Sequence, residues 1–316
     1  MKLVSSLDFG DGHLEKLKQK FNRIDFYIYN NIEEAKEQLF DAEIFVTYGF
    51  DINEELIEKM EKLKWIQCMS TGIDALPLNK LREKGILLTS VRGIHGIPIA
   101  EYVMAVILNH RIEAFRFYEQ QKNKIWKRKA DLEELFGKTI CIIGTGTIGK
   151  EIARKAKAFD MKTIGVNTQG RSVEYFDELY SKADLNEALS KGDFVVQTAP
   201  LTKESYKMIG IEQFKKMKPT AFFINIGRGQ TVDEKALIEA LEKKLIKAAA
   251  IDVFEKEPLA YDSPLWTMDN VFVTPHISGL SDMYMNRAVP ILEQNLRVYL
   301  YGQGEYINKI DLEKAY

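Results

Sequence analysis

Residues Lys138–Gly149 read KTICIIGTGTIG, and Gly144, Gly146 and Gly149 within them stand at G-x-G-x-x-G spacing. Ile140, Ile142 and Ile143 ahead of the glycines read as a buried strand. Ile152, Ala153, Ala156 and Phe159 behind them read as the apolar face of a helix, and Met161–Asn167 as a second strand. In that βαβ setting the three glycines serve a tight turn, close approach of backbone to a pyrophosphate, and close packing of helix on sheet. The phosphates sit at the positive end of the helix that starts near Thr147, which brings Thr147 and Ile148 into the binding set. Spacing alone is equally met by glycines at a buried turn. Strand, helix and second strand together indicate a dinucleotide site.

A nicotinamide enzyme acting on an alcohol or ketone also needs a proton donor/acceptor beside the carbonyl oxygen and a cation to orient the substrate. The chain has four histidines. His13 falls in a polar N-terminal turn and His110 inside a helix, which suits structural roles. His95, in GIHG, precedes a long apolar segment and is placed to line a cleft. His276 differs, because it follows the strand NVFVT and Pro275, at the strand end where ligands bind in open α/β sheets. Arg228 follows the strand AFFINI in a Gly-Arg-Gly turn, and Glu257 follows KAAAIDV. Any one of these reads equally as a surface loop charge; three at strand ends after one fingerprint read as a site. A carboxylate on the imidazole fixes its tautomer and stabilises its protonated form. An arginine fork suits a substrate carboxylate where lysine does not.

GTGTIG, INIGRG, DVFEKEP and TPHISG, in this order and spacing, resemble the D-isomer-specific 2-hydroxyacid dehydrogenase family. STGIDAL at 70–76 is similar to its substrate-carboxylate loop, and IPIAEYVMA at 97–105 to the start of its bridging helix. The resemblance implies reduction of a small 2-keto acid by NAD(P)H to the D-2-hydroxy acid, in a homodimer built through the nucleotide domain. It casts Arg228 as the substrate-orienting arginine, Glu257 as the carboxylate partner and His276 as the acid/base. Asp252 is implied to contact the nicotinamide carboxamide, and amides near Thr71 and Gly72, with Tyr48, to bind the substrate. Ala199, Pro200, Ile226, Gly227, Ser278 and Gly279 complete the implied cofactor set. Asp160 stands where the family has glycine, and a local turn change is expected there. A cofactor-sensing, corepressor-like protein with little turnover is the alternative within the superfamily, and formate or phosphite oxidation a weaker one. The residues do not specify the keto acid; Tyr48, Phe50, Ile94, His95 and Trp266 are candidate pocket residues.

One position bears on the cofactor. In NAD-specific folds an acidic residue at the end of the second strand accepts hydrogen bonds from the ribose hydroxyls. Asn167 stands there, followed by Thr168, Gln169, Gly170 and Arg171. Asn removes the repulsion of a 2′-phosphate, while Thr168 and Arg171 offer a hydroxyl and a cation. The expectation is NADP in preference to NAD, with dual use as the alternative if Asn167 merely caps the turn.

Around these residues strand and helix signals alternate. The first hundred residues offer strands at Leu3–Leu7, Arg23–Tyr29, Glu43–Tyr48, Leu63–Met69 and Ile86–Ser90. Pro98 opens an apolar segment that continues to Gln121 as one long helix. After the fingerprint, Asp193–Thr198, Ala221–Ile226, Lys247–Asp252 and Asn270–Thr274 are strand candidates, and Asp233–Lys244 is a helix. The expected architecture is α/β: two doubly wound parallel-sheet domains, a Rossmann NAD(P)-binding domain of about residues 100–285 inserted into a flavodoxin-like substrate domain of 1–99 plus 286–316. At 316 residues, two domains are the natural division. A net charge of −2 implies no basic face for nucleic acid. Cys68 and Cys141 lie in apolar runs and read as buried thiols, with no metal site. No run approaches a membrane span, and MKLVSSLDFG lacks a signal-peptide core, so a cytoplasmic protein is expected.

Overall fold

The computed structural model describes residues 1–73, 75–130 and 132–313. The chain divides into two compact units, 1–94 with 281–316, and 95–280.

In the first unit strands and helices alternate: β1 (Lys2–Ser5), α1 (Asp11–Lys20), β2 (Asp25–Ile28), α2 (Ile32–Leu39), β3 (Ile44–Thr47), α3 (Glu54–Lys59), β4 (Trp65–Cys68), α4 (Leu78–Glu83) and β5 (Leu87–Ser90). The sheet is parallel in the order β2-β1-β3-β4-β5, the flavodoxin-like arrangement. Parallel strands covered on both faces should be apolar on both, and β3 and β4 are buried at every residue. Val4, Phe45, Ile66 and Leu88 point into one core, while Leu3, Ile44, Val46 and Trp65 point into the other. Asn31 and Asn53 start α2 and α3 by accepting the amides of Glu34 and Leu56.

The second unit holds α5 (Gly96–Arg111), α6 (Ala114–Lys122), β6 (Thr139–Ile143), α7 (Thr147–Lys157), β7 (Lys162–Asn167), β8 (Glu178–Ser181), α8 (Leu185–Lys191), β9 (Phe194–Gln197), α9 (Ile211–Lys216), β10 (Phe222–Asn225), α10 (Glu234–Glu242), β11 (Ala248–Ile251) and β12 (Val271–Val273). Its parallel sheet runs β12-β11-β10-β9-β6-β7-β8. Counted from β6 this is the Rossmann order 3-2-1-4-5-6 with a seventh strand at the far edge. The order reverses at β6, which lies between β7 and β9, so the fingerprint turn sits at the switch point. Ile140, Ile142, Val196 and Ile224 pack with α5 and α7, and Cys141, Ile143, Val195 and Phe223 with the helices of the opposite face. The chain then returns to the first unit as α11 (Tyr284–Tyr301), which buries Ala288, Val289, Leu292 and Leu296 there.

Three local expectations, on the long helix, Phe159 and His13, do not hold. The long helix from Pro98 to Gln121 is two helices, because Glu113 takes a left-handed φ of 50° that no helix can carry through. Phe159 lies past α7 and is 39% exposed, so it is not on the buried face. His13 lies on α1 rather than in a turn. Asp160 takes φ 54°, so an aspartate makes this turn in the left-handed conformation that glycine adopts freely. Both cysteines are buried and unpaired; burial pushes the Cys68 thiol up to about 11 and that of Cys141 to about 12. Among the described residues no helix is long and apolar enough to cross a membrane.

Candidate active site

The fingerprint turn is built by close approach. A side chain at Gly149 would put its Cβ 2.0 Å from the Gly144 carbonyl oxygen, so only glycine lets α7 start this near β6. Gly144 has φ 100° and faces Thr198, whose Oγ1 lies 3.0 Å from Ile143 O and 2.9 Å from Gly144 O as donor. Gly146 differs: a Cβ there would meet nothing within 4 Å. It is also the N-cap of α7 and supplies no side-chain cap, so the first amides of the helix open onto that space. An uncapped, eleven-residue helix facing an open glycine fits a pyrophosphate.

At the end of β7, Asn167 organises its own turn. Its Oδ1 accepts the amides of Gln169 (3.2 Å) and Arg171 (3.0 Å), and its Nδ2 donates to Arg171 O (2.9 Å) and Thr145 Oγ1 (3.2 Å). Thr168 and Arg171 are exposed on this turn.

Arg228, Glu257 and His276 follow β10, β11 and β12, three adjacent strands. Arg228 leaves β10 in extended conformation; its Nη1 donates to Gly227 O at 2.9 Å, and Thr231 Oγ1 donates to Arg228 O at 2.7 Å. Glu257 accepts the Phe254 amide through Oε1 at 3.1 Å and meets His276 Nδ1 through Oε2 at 2.8 Å. A carboxylate only accepts, so Nδ1 carries the proton and Nε2 is left for a substrate oxygen. The His276 and Glu257 side chains are 52% and 38% exposed, within reach of a ligand. His276 takes φ 55°, the left-handed region, and its amide donates to Asp252 O at 2.9 Å.

Asp252 is fully buried. Its Oδ1 accepts Thr274 Oγ1 (2.6 Å) and the Ile277 amide (2.8 Å), and its Oδ2 the Ser278 amide (3.0 Å). Oδ2 thus keeps one acceptor position. A Cβ on Gly279 would lie 2.9 Å from Cδ2 of His95, so that histidine packs on the same turn. Burial, and then the charge of Arg228, lower the pKa of His95. Ala199 and Pro200 follow β9, and Ile226 follows β10 with its amide on Gln197 O at 3.2 Å. Thr274 opens TPHISG and Tyr102 lies within IPIAEYVMA, but the sequence assigns no role to either hydroxyl, nor to that of Thr198.

In the other unit, Tyr48 follows β3, and Thr71 and Gly72 follow β4, again at carboxyl ends. The Tyr48 ring stacks on Phe50 at 5.9 Å and meets Tyr284 edge-on at 6.2 Å. Tyr284 Oη donates to Met69 O at 2.5 Å, which ties α11 to the segment after β4. Asp74, inside the STGIDAL loop, lies outside the described residues.

The sheet order, the switch-point glycines and the strand-end polar groups define a dinucleotide-binding oxidoreductase of the doubly wound class. Residues 104–278 match the family model described as D-isomer specific 2-hydroxyacid dehydrogenase, NAD binding domain. Glyoxylate/hydroxypyruvate reductase B of Escherichia fergusonii is 35% identical over 298 residues, covering 92% of this chain and 91% of its own. A D-3-phosphoglycerate dehydrogenase of Methanocaldococcus jannaschii is 36% identical over 280 residues; the match covers 86% of this chain but only 52% of that protein, about half its length. The crystal structure of a D-isomer specific 2-hydroxyacid dehydrogenase family protein from Aeromonas salmonicida superposes with TM-score 0.88 at 33% identity, covering 98% of both chains. The chain belongs to the D-isomer-specific 2-hydroxyacid dehydrogenase family.

Proposed function

We propose that this chain reduces small 2-keto acids to D-2-hydroxy acids at the expense of NAD(P)H, with NADPH preferred. The observation that carries the reading is the placement of Arg228, Glu257 and His276 after three adjacent strands, with the imidazole and carboxylate 2.8 Å apart. When bound, the dihydronicotinamide supplies the hydride to the keto carbon. His276, doubly protonated and with its Nδ1–H held by Glu257, gives the Nε2 proton to the carbonyl oxygen and is left neutral, so hydride and proton together make the alcohol. Arg228 orients the substrate carboxylate and polarises the carbonyl. The 95–280 unit binds the cofactor, while Tyr48 and the amides of Thr71 and Gly72 receive the substrate. Glyoxylate and hydroxypyruvate, named for the Escherichia relative, are the first substrates to try. We further propose a homodimer formed through the 95–280 unit, where Trp126 is 93% and Phe136 72% exposed.

The test is a steady-state assay of NADPH and NADH oxidation with glyoxylate, hydroxypyruvate, pyruvate and branched 2-keto acids. Turnover on at least one acid, with the D-isomer as product, is expected. Negligible turnover on all of them, with cofactor binding intact, would instead indicate a cofactor sensor.

A further inference from the structure

We propose that Tyr102 is a positioning residue for His276, acting through Thr274 and Asp252; the inference rests on the reductase reading above. Asp252 gathers the turn that carries His276. Its main-chain carbonyl accepts the His276 amide, and its carboxylate accepts the Ile277 and Ser278 amides and the Thr274 hydroxyl. Every residue from Thr274 to Ser278 except Pro275 is therefore tied to one buried residue. The turn needs such restraint, because His276 sits at a positive φ that a non-glycine residue leaves unless its surroundings hold it.

Thr274 has one hydroxyl proton, and Asp252 as an acceptor takes it at 2.6 Å. The second contact of Thr274 Oγ1 is with Tyr102 Oη, also at 2.6 Å. With the threonine proton spent on Asp252, Tyr102 is the donor. The chain of donation runs from Tyr102 to Thr274 to the carboxylate. Such aligned hydroxyls polarise one another in a low-dielectric interior, so the terminal donor strengthens the bond at the far end of the chain. Burial pushes the Tyr102 phenol up to about 12, so it remains a donor throughout any working pH range. Tyr102 lies on α5, which packs on the sheet through Ile99, Val103 and Ile107. It therefore references the His276 turn to a rigid helix rather than to neighbouring loops.

The experiment compares wild type with Tyr102→Phe, Thr274→Val, the double variant, and Thr274→Ser as the conservative control. Amide hydrogen exchange at Ile277 and Ser278 is read without substrate; kcat, KM and the primary isotope effect with deuterated NAD(P)H are read with the best keto acid. We expect Tyr102→Phe to speed exchange at both amides and lower kcat by about ten-fold, the scale of one buried hydrogen bond. The isotope effect should rise, while KM and cofactor Kd stay within about two-fold and the unfolding midpoint is little changed. The double variant should be no worse than Thr274→Val, because the two hydroxyls act as one chain, and Thr274→Ser should retain wild-type behaviour. Unchanged exchange in Tyr102→Phe overturns the proposal. Faster exchange with unchanged kcat and isotope effect overturns it too, since the relay would then stiffen the turn without serving the chemistry. If the wild type reduces no keto acid, the reductase reading fails while the exchange data still decide whether Tyr102 holds the turn.

Discussion

Nδ1 of His276 lies 2.8 Å from Oε2 of Glu257, and the other oxygen of that carboxylate is occupied by the Phe254 amide. The two contacts together orient the carboxylate and choose the imidazole tautomer. Glu257→Gln tests this sharply. If the glutamine oxygen keeps the Phe254 amide, its NH2 group faces Nδ1, which must then be an acceptor. The ring proton moves to Nε2, and the doubly protonated ring is disfavoured. We expect kcat to fall on the order of 100-fold or more, with NAD(P)H affinity by fluorescence titration little changed. A kcat within a few-fold of wild type would mean that the imidazole works without its carboxylate.

Arg228 should matter for the transition state as well as for binding. Loss of a charge-assisted fork to a desolvated carboxylate costs on the order of 2–5 kcal/mol. Arg228→Ala should therefore lower kcat/KM by orders of magnitude. Arg228→Lys should recover little, because an ammonium cannot make the planar two-point contact. Cofactor affinity should stay near wild type in both. A comparable loss of NAD(P)H binding would place Arg228 on the cofactor instead.

The residues proposed for the site stand out in the sequence because glycine spacing and strand-end charges are local patterns. Two doubly wound parallel sheets follow from the alternation of apolar runs with helices, whereas the strand order within each comes only from the fold. The features without a sequence signal are non-local or unpatterned. Strand β8, ELYS, is an edge strand with one neighbour and no fully buried residue, so it lacks the apolar run that marks β9 or β10. The break between α5 and α6 falls at Ile112 and Glu113, without the glycine or proline that would announce it. Tyr102 and Thr274 each lie in a motif, but they are 172 residues apart and nothing local says that their hydroxyls meet. The sequence marked Asp252 for its motif; only the fold reveals that its carboxylate builds the turn around His276.

His110 should make stability depend on pH. Its ring stacks on Phe222 with centroids 4.2 Å apart, and burial, reinforced by the charges of Lys247 and Arg111, lowers its pKa to about 4. An unfolded histidine titrates near pH 6.5. Between these values the unfolded chain binds the proton and the folded chain does not, so stability falls as pH drops from about 6.5 toward 4. His110→Phe keeps the stacking and removes the titration. Urea midpoints measured at pH 7 and pH 5 should fall less in the variant than in wild type. Equal falls would show that His110 titrates alike in both states.

The 95–280 unit carries an apolar groove of about 570 Å3 along α6, lined by Asn109, Ile112, Ala114, Phe115 and Tyr118 among others. Ile112, Phe115 and Tyr118 are each about half exposed there, at 53%, 49% and 54%. A second copy of the chain would cover this face. Wild type should sediment as a dimer at micromolar concentration, and Tyr118→Glu with Trp126→Glu should sediment as a monomer with its unit still folded. A monomeric wild type would remove the dimer proposal.

The cofactor preference turns on what Asn167 contributes. Both ends of its amide are used within the turn up to Arg171, so it shapes the loop as well as leaving the strand end uncharged. Asn167→Asp preserves the acceptor for the Gln169 and Arg171 amides, loses the donor, and introduces a charge that repels a 2′-phosphate. Arg171→Ala removes the exposed cation suited to that phosphate. We expect wild type to use NADPH with a kcat/KM about ten-fold or more above that for NADH, the scale of one hydrogen bond to a charged group. Each single change should lower that ratio, and the double variant should prefer NADH. Equal or better use of NADH by wild type would overturn the preference. A ratio that moves with Arg171→Ala but not with Asn167→Asp would assign the reading of the phosphate to the arginine and leave Asn167 as the residue that holds the turn.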